Sequence, residues 1–362
     1  MKIALLGPVC WRTPPHHYGP WEQVVSNIAE GMVARGVEVT LFASGDSETR
    51  GALDAICPGS LYEHPELDGK VYEYLHIAHC YERAHEFDLI HNNYDFMGLV
   101  WARLVKTPVL TTIHGFSSPR IHPAYFEYNN VVNYVSISNA DRLGGLNYLA
   151  TVYNGIDPSR FTFSPRPGEY LVFLGRISAE KGTHLAIETA QLSGMRLIIA
   201  GIIQDQEYFE TLVKPFCDGR QIEYIGPVGP EARSELLSNA YALLHLITFR
   251  EPFGLTMVEA GACGLPVIAT PLGSVPEIVI NGHNGLLVAD AAEAARRLSE
   301  ISAIDRAVCR RHVEDHFSLD AMINGYLKVY ERILFGESTP FLAEEASGGI
   351  AAPGQPSQHP FS

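Results

Sequence analysis

No apolar run in these 362 residues approaches the ~18 needed for a helix to span a membrane. Cysteine is sparse. The six (Cys10, Cys57, Cys80, Cys217, Cys263, Cys309) are scattered, with no CxxC pair. That pattern excludes a disulfide framework and a cysteine zinc site, and it fits a reduced compartment. No HxxxH, HExxH or Cys/His spacing is read as a metal site. Cations are few: 26 Lys and Arg stand against 41 Asp and Glu, a net charge of −15. Such a balance argues against an extended nucleic-acid surface and against a broad patch for anionic lipid headgroups. It leaves room for a local cationic pocket. No GxGxxG follows Leu6, which counts against a nicotinamide oxidoreductase. The opening Met-Lys-Ile-Ala-Leu-Leu-Gly carries one charge and is followed by Pro8, so it reads as a strand rather than a signal peptide. A cytoplasmic protein is expected.

What is present is an ordinary globular composition, 46% hydrophobic and 19% charged, at a length that suggests two domains. Short β-branched runs alternate with helical patterns. Residues 2–7, 37–43, 88–91, 108–114, 133–136 and 149–153 read as strands, with an amphipathic helix over 22–35 that stops at Gly36. The segment 154–169, with Pro158, Pro165, Pro167 and Gly168, reads as a linker. The alternation then restarts, with strands at 170–175, 196–201, 222–226, 241–246 and 266–270. Helices are expected at 183–191, 206–216, 231–238 and after Gly254. Two doubly wound parallel-sheet halves with a cleft between them are therefore expected. The boundaries are 1–160 and 168–318, with a terminal helix over 319–335 and a disordered tail over 337–362.

Glu251-Pro-Phe-Gly-Leu-Thr-Met-Val-Glu259 is the densest chemical signal. Pro252 and Gly254 break the chain after a strand, and a helix then begins. A helix start has unpaired N–H groups and a positive dipole end that suit a phosphate. Glu251 lies ahead of that site, and Glu259 lies roughly 7 Å along the helix. Carboxylates accept hydrogen bonds from sugar hydroxyls, so the spacing matches a sugar, a diphosphate and a ribose in series. On spacing alone, a solvated Glu251 and an exposed helical Glu259 fit equally well.

Gly175-Arg-Ile-Ser-Ala-Glu-Lys-Gly182 also joins a strand to a helix, so Arg176 and Lys181 are placed at the carboxyl edge of the second sheet. They would neutralise a diphosphate, or else pair with Glu180. Tyr18-Gly-Pro-Trp-Glu22 joins the first strand and helix, and Gly19 permits close approach to a ligand. His114, followed by Gly115, ends a strand on the cleft side, where a capped core histidine is the competing reading. His16, His17 and His91 are weaker candidates. Gly273, Ser274 and Glu277 follow another strand at the cleft mouth.

These elements in this order resemble the retaining glycosyltransferases of family 4, which have the GT-B fold. The resemblance spans nearly all of residues 1–334. It rests on Gly175-Arg176 with Glu180-Lys181-Gly182, Glu251-Pro-Phe-Gly-Leu with Glu259-Ala, Gly264-Leu-Pro-Val-Ile-Ala, Gly285-Leu-Leu-Val and Asn154-Gly-Ile-Asp157. It implies two Rossmann-like domains, an acceptor on the first and a nucleotide-diphospho-sugar donor on the second. It implies that Arg176 and Lys181 hold the diphosphate and that Glu251 reads the sugar. Backbone groups of Phe253, Gly254, Leu255 and Thr256 would meet sugar and phosphate, and Glu259 the ribose. Gly19 would sit beneath the diphosphate and His114 beside the reacting carbon. No cofactor or metal is expected, and the terminal helix would pack back on the first domain. UDP-glucose is the donor of first choice.

The pattern also departs from the family. Pro20 stands where a second glycine is frequent, and it removes an N–H from that loop. Ile247-Thr248 replaces Pro-Ser, and Gly273-Ser274 replaces a glycine pair. A GT-B epimerase or phosphorylase, or a non-catalytic nucleotide-sugar-binding subunit, are the alternative expectations.

Overall fold

The computed structural model describes residues 1–16 and 19–336. His17, one of the weaker candidates, and the expected tail over 337–362 lie outside the described residues. The first sheet holds β1 (Lys2–Leu6), β2 (Glu38–Phe42), β3 (Ala52–Asp54), β4 (Leu89–Asn92), β5 (Val109–Ile113), β6 (Asn133–Ser136) and β7 (Tyr148–Thr151). All pairs are parallel, in the order β3-β2-β1-β4-β5-β6-β7. The second sheet holds β8 (Tyr170–Leu174), β9 (Arg196–Ala200), β10 (Ile222–Gly226), β11 (Ala242–His245), β12 (Val267–Ala269) and β13 (Gly285–Leu287). It too is parallel, in the order β10-β9-β8-β11-β12-β13. Strands such as Val-Leu-Thr-Thr-Ile are buried along their whole length, as a sheet covered on both faces requires.

The covering helices are α1 (Pro20–Ala34), α2 (Gly69–Glu82) and α3 (His122–Glu127) on the first sheet. Around the second lie α4 (Thr183–Ser193), α5 (Gln206–Leu212), α6 (Pro230–Ser238), α7 (Leu255–Ala262), α8 (Val275–Ile278), α9 (Ala291–Arg297) and α10 (Arg306–His316). Each sheet has one apolar cluster on either face. The helix expected over 206–216 is shorter. It ends at Leu212 and gives way to a 3-10 turn, Lys214–Phe216, because Pro215 has no N–H to continue the ladder. The three-residue edge strand β3 and the seven-residue helix α9 carry too little periodicity to be read in advance.

A last helix, α11 (Leu319–Phe335), is capped by Ser318, whose hydroxyl accepts from Ala321 N. Its apolar stripe of Met322, Ile323, Tyr326, Val329 and Tyr330 follows helical spacing. That stripe packs on the first sheet with α1. The buried hydroxyls find partners there: Tyr330 meets His91 Nδ1 at 2.7 Å and Tyr326 meets Thr112 at 3.1 Å. No described helix is long and apolar enough to cross a membrane.

Candidate donor site at the cleft

In both sheets the strand order reverses beside the first strand, β1 or β8, and such a switch point opens a crevice at the carboxyl edge. Because β8 and β11 are neighbours, the loops that leave them must run side by side. They are joined by backbone: Thr248 N donates to Glu180 O at 2.9 Å. The approach is so close that a Cβ on Gly182 (φ +74°) would stand 1.9 Å from Leu246 O. Only glycine fits there. That contact carries Lys181 onto Glu251.

Lys181 Nζ donates to Glu251 Oε2 at 2.7 Å and lies 4.6 Å from the centre of the Phe249 ring. Glu251 is 7% exposed. His245, the last residue of β11, reaches the same oxygen with Nε2 at 3.4 Å. Burial alone would raise the Glu251 carboxyl, but His245 and Lys181 beside it overcome that and hold the group at about 2. Glu251 is therefore an ionised acceptor, not an acid. Arg176 donates to Gln204 at 2.7 Å and pairs with Glu180 at 3.3 Å. The pairing with Glu180 foreseen as the competing reading is thus present.

Helix α7 starts at Gly254 (φ +90°), and no side chain caps it. Its leading N–H groups at Leu255 and Thr256 point where an anion would be bound. The Phe253 side chain is in the core against Tyr153 and Phe317, and its carbonyl accepts from Ser274 Oγ at 2.7 Å. Its side chain and carbonyl are thus engaged within the protein. Glu259 is 8% exposed, so the exposed-helix reading does not hold. Its Oε1 accepts from Arg233 of α6 at 2.8 Å. Burial raises its carboxyl, and Arg233 only partly offsets that.

The first domain meets this site directly. A Cβ on Gly115 would come 2.9 Å from Pro252 Cγ. Ser138 Oγ donates to Pro252 O at 2.7 Å. Glu277 accepts from Asn139 N, Ala140 N and Tyr153 OH at 2.9, 2.7 and 2.7 Å. His114 is therefore at the cleft, with Nε2 2.8 Å from Asn93 Oδ1 and its ring 5.9 Å from Trp21. Burial pushes its imidazole down to about 3, so it is neutral. Gly19 caps α1 from the same edge, 3.0 Å from a Glu22 carboxylate oxygen by its would-be Cβ. His91 is elsewhere: it is fully buried under α11 and bonded to Tyr330 and Thr112. His16 contacts Arg12. His312 and His316 form an HxxxH pair in α10, with rings 5.0 Å apart. Among the described residues, no group of three or more His, Cys, Asp or Glu is placed to hold a metal.

The sequence model described as "Glycosyltransferase Family 4" matches residues 21–160. The one described as "Glycosyl transferases group 1" matches residues 159–311. The chain belongs to the family 4 glycosyltransferases. Its fold is GT-B. Glycogen synthase of Mycobacterium tuberculosis is 30% identical over 214 residues, covering 54% of this chain and 51% of that protein. D-inositol 3-phosphate glycosyltransferase of Mycolicibacterium smegmatis is 29% identical over 222 residues, covering 55% and 50%. The chain thus spans about half the length of these relatives. Among solved structures, Anabaena HepE in complex with UDP and glucose superposes with a TM-score of 0.71 at 22% identity, over 91% of this chain and 99% of that one. That likeness shows the fold.

His245, Arg233 and Asn93 at this family 4 site were not singled out from sequence. His245 leaves a trace, a polar residue in the otherwise apolar run Ala-Leu-Leu-His-Leu. Arg233 leaves none, since its partner is 26 residues away.

Proposed function

We propose that this protein is a retaining glycosyltransferase that moves a hexosyl group from a nucleotide-diphospho-sugar to an acceptor hydroxyl, giving an α-glycoside. The observation that carries the reading is the arrangement of Glu251 and Glu259 on either side of an uncapped helix start, with Lys181 bonded to the first. Glu251, held ionised, orients sugar hydroxyls. The first N–H groups of α7, with Lys181 and Arg176, take the diphosphate, and Glu259 takes the ribose diol. UDP-glucose is the proposed donor. Its support is that HepE was solved with UDP-glucose and that a glycogen synthase is among the relatives.

The acceptor is held mainly by the first domain, near His114. Its hydroxyl oxygen attacks the anomeric carbon on the face that the diphosphate leaves. The C–O bond to phosphate breaks through an oxocarbenium-like state, and the departing phosphate oxygen receives the acceptor proton. Cationic side chains and backbone N–H groups stabilise the growing charge. Contact between the domains excludes water and limits hydrolysis of the donor. We propose that the reaction needs no metal. The test is a nucleotide-sugar screen followed by NMR of the product anomer. An α-product from an α-donor, made in the presence of EDTA, is expected. A β-product would overturn the retaining assignment.

A further inference from the structure

His245 is not needed for any step given above, yet it is placed with unusual economy. It closes a fully buried strand and is 5% exposed. Its buried Nε2 has Glu251 Oε2, at 3.4 Å, as its nearest charged neighbour and makes no tighter hydrogen bond. Lys181 is bonded to that same oxygen at 2.7 Å. Among the described residues no hydrogen bond falls on Glu251 Oε1. One carboxylate oxygen is thus bonded to Lys181 and faced by an unsatisfied imidazole nitrogen, and the other is left for a ligand.

Resting on the functional reading above, we propose that His245 is a positioning residue for donor binding: it holds Glu251 when Lys181 leaves it for the diphosphate. The two partners differ in the way this needs. Lysine carries its charge on a flexible four-carbon stem, and its Nζ can swing towards a phosphate. The imidazole is fixed at the end of β11 and cannot follow. Without it, the move would strand a buried carboxylate with no partner, which is strongly unfavourable. With it, Nε2–H closes on Oε2, Glu251 stays ionised, and Oε1 keeps its aim at the sugar. The charged groups beside the imidazole are Glu251 and, through the shared oxygen, Lys181.

The test is a double-mutant cycle of His245→Leu and Glu251→Gln, with UDP and UDP-glucose binding measured by calorimetry alongside turnover. His245→Leu is expected to weaken UDP-glucose roughly tenfold, as loss of a hydrogen bond to a charged group does. UDP, whose diphosphate draws Lys181 away in the same way, should weaken alongside it, and Tm should stay near wild type. His245→Gln, which keeps an N–H donor, should recover most of the loss. In the Glu251→Gln background the leucine change should matter about twofold at most, because coupled residues are non-additive. Unchanged binding of both UDP and UDP-glucose, or equal losses in both backgrounds, would overturn the proposal. If the leucine variant does not fold, His245→Asn is read by the same criteria. A wild-type protein that binds no nucleotide sugar refutes the functional reading, and the hand-over with it. Normal donor binding with an additive cycle refutes the hand-over alone.

Discussion

The two crevices of this molecule are built alike and charged differently. Each opens where strand order reverses beside β1 or β8. In the second, the loops after β8 and β11 bring Lys181, Glu251 and His245 together, while Arg176 pairs with Gln204 and Glu180. In the first, the corresponding edge presents Trp21, Asn93 and a neutral His114. Glu22 there is buried, and that burial raises its carboxyl to about 7. Equivalent winding thus supplies two equivalent places, and the loops decide what each can hold. A charged crevice suits an anionic donor, and a subdued one suits an uncharged hydroxyl.

The same contrast appears within one motif. Glu251 sits in the loop, where Lys181 and His245 both reach it, and is held at about 2. Glu259 sits inside α7 with Arg233 alone, and its carboxyl is raised.

The sharpest way to break the contrast is Glu251→Ala. It should cut turnover about 1,000-fold, in the range seen when a preorganised polar contact at a reacting centre is lost. UDP should still bind within a few-fold by calorimetry. Near-normal turnover would remove Glu251 from the site. Arg233→Met should leave Glu259 buried without its partner and cost about 3 kcal/mol in urea unfolding. UDP and UDP-glucose should weaken equally, since the ribose is common to both. A loss confined to UDP-glucose would contradict the ribose assignment. Lys181→Ala should raise the donor KM and lower kcat, together about 100-fold in kcat/KM. Unchanged donor kinetics would end the diphosphate-clamp assignment.

The smallest effect belongs to the first crevice. Glu22 has a folded pKa of about 7 against an ordinary 4.5, so the folded state keeps its proton longer than the unfolded chain. The contribution of Glu22 to stability should therefore be full below pH 4.5 and be lost as pH rises through 7. The loss between pH 5 and 7 is on the order of 2 kcal/mol. Glu22→Gln should flatten that slope in pH-dependent urea melts; an unchanged slope would show that Glu22 is not its source.

Much of the fold was legible because strands buried on both faces are continuous β-branched runs, and their alternation with amphipathic helices has few other solutions. Residues 108–114 and 241–246 were readable in this way. The three residues of β3 and the seven of α9 were not, because so short a stretch shows no period. The site was legible where its parts are local. Gly254 before an apolar helix and Gly182 after Lys181 mark backbone breaks that sequence displays directly. Arg233 with Glu259, and Glu277 with the backbone of Asn139 and Ala140, are long-range pairs with no local mark. His91 looked like a cleft residue by its position after a strand, but α11 covers it.

By itself the sequence determined the family, the two wound halves and the glutamates at a helix start, since each rests on local pattern and chain order. Tertiary structure alone decided that Lys181 and His245 share one oxygen of Glu251, that Glu259 is buried on Arg233, and that Gly115 touches Pro252. Those facts depend on which loops strand order sets side by side and on how closely glycine lets them approach. No one-dimensional spacing encodes a distance of that kind.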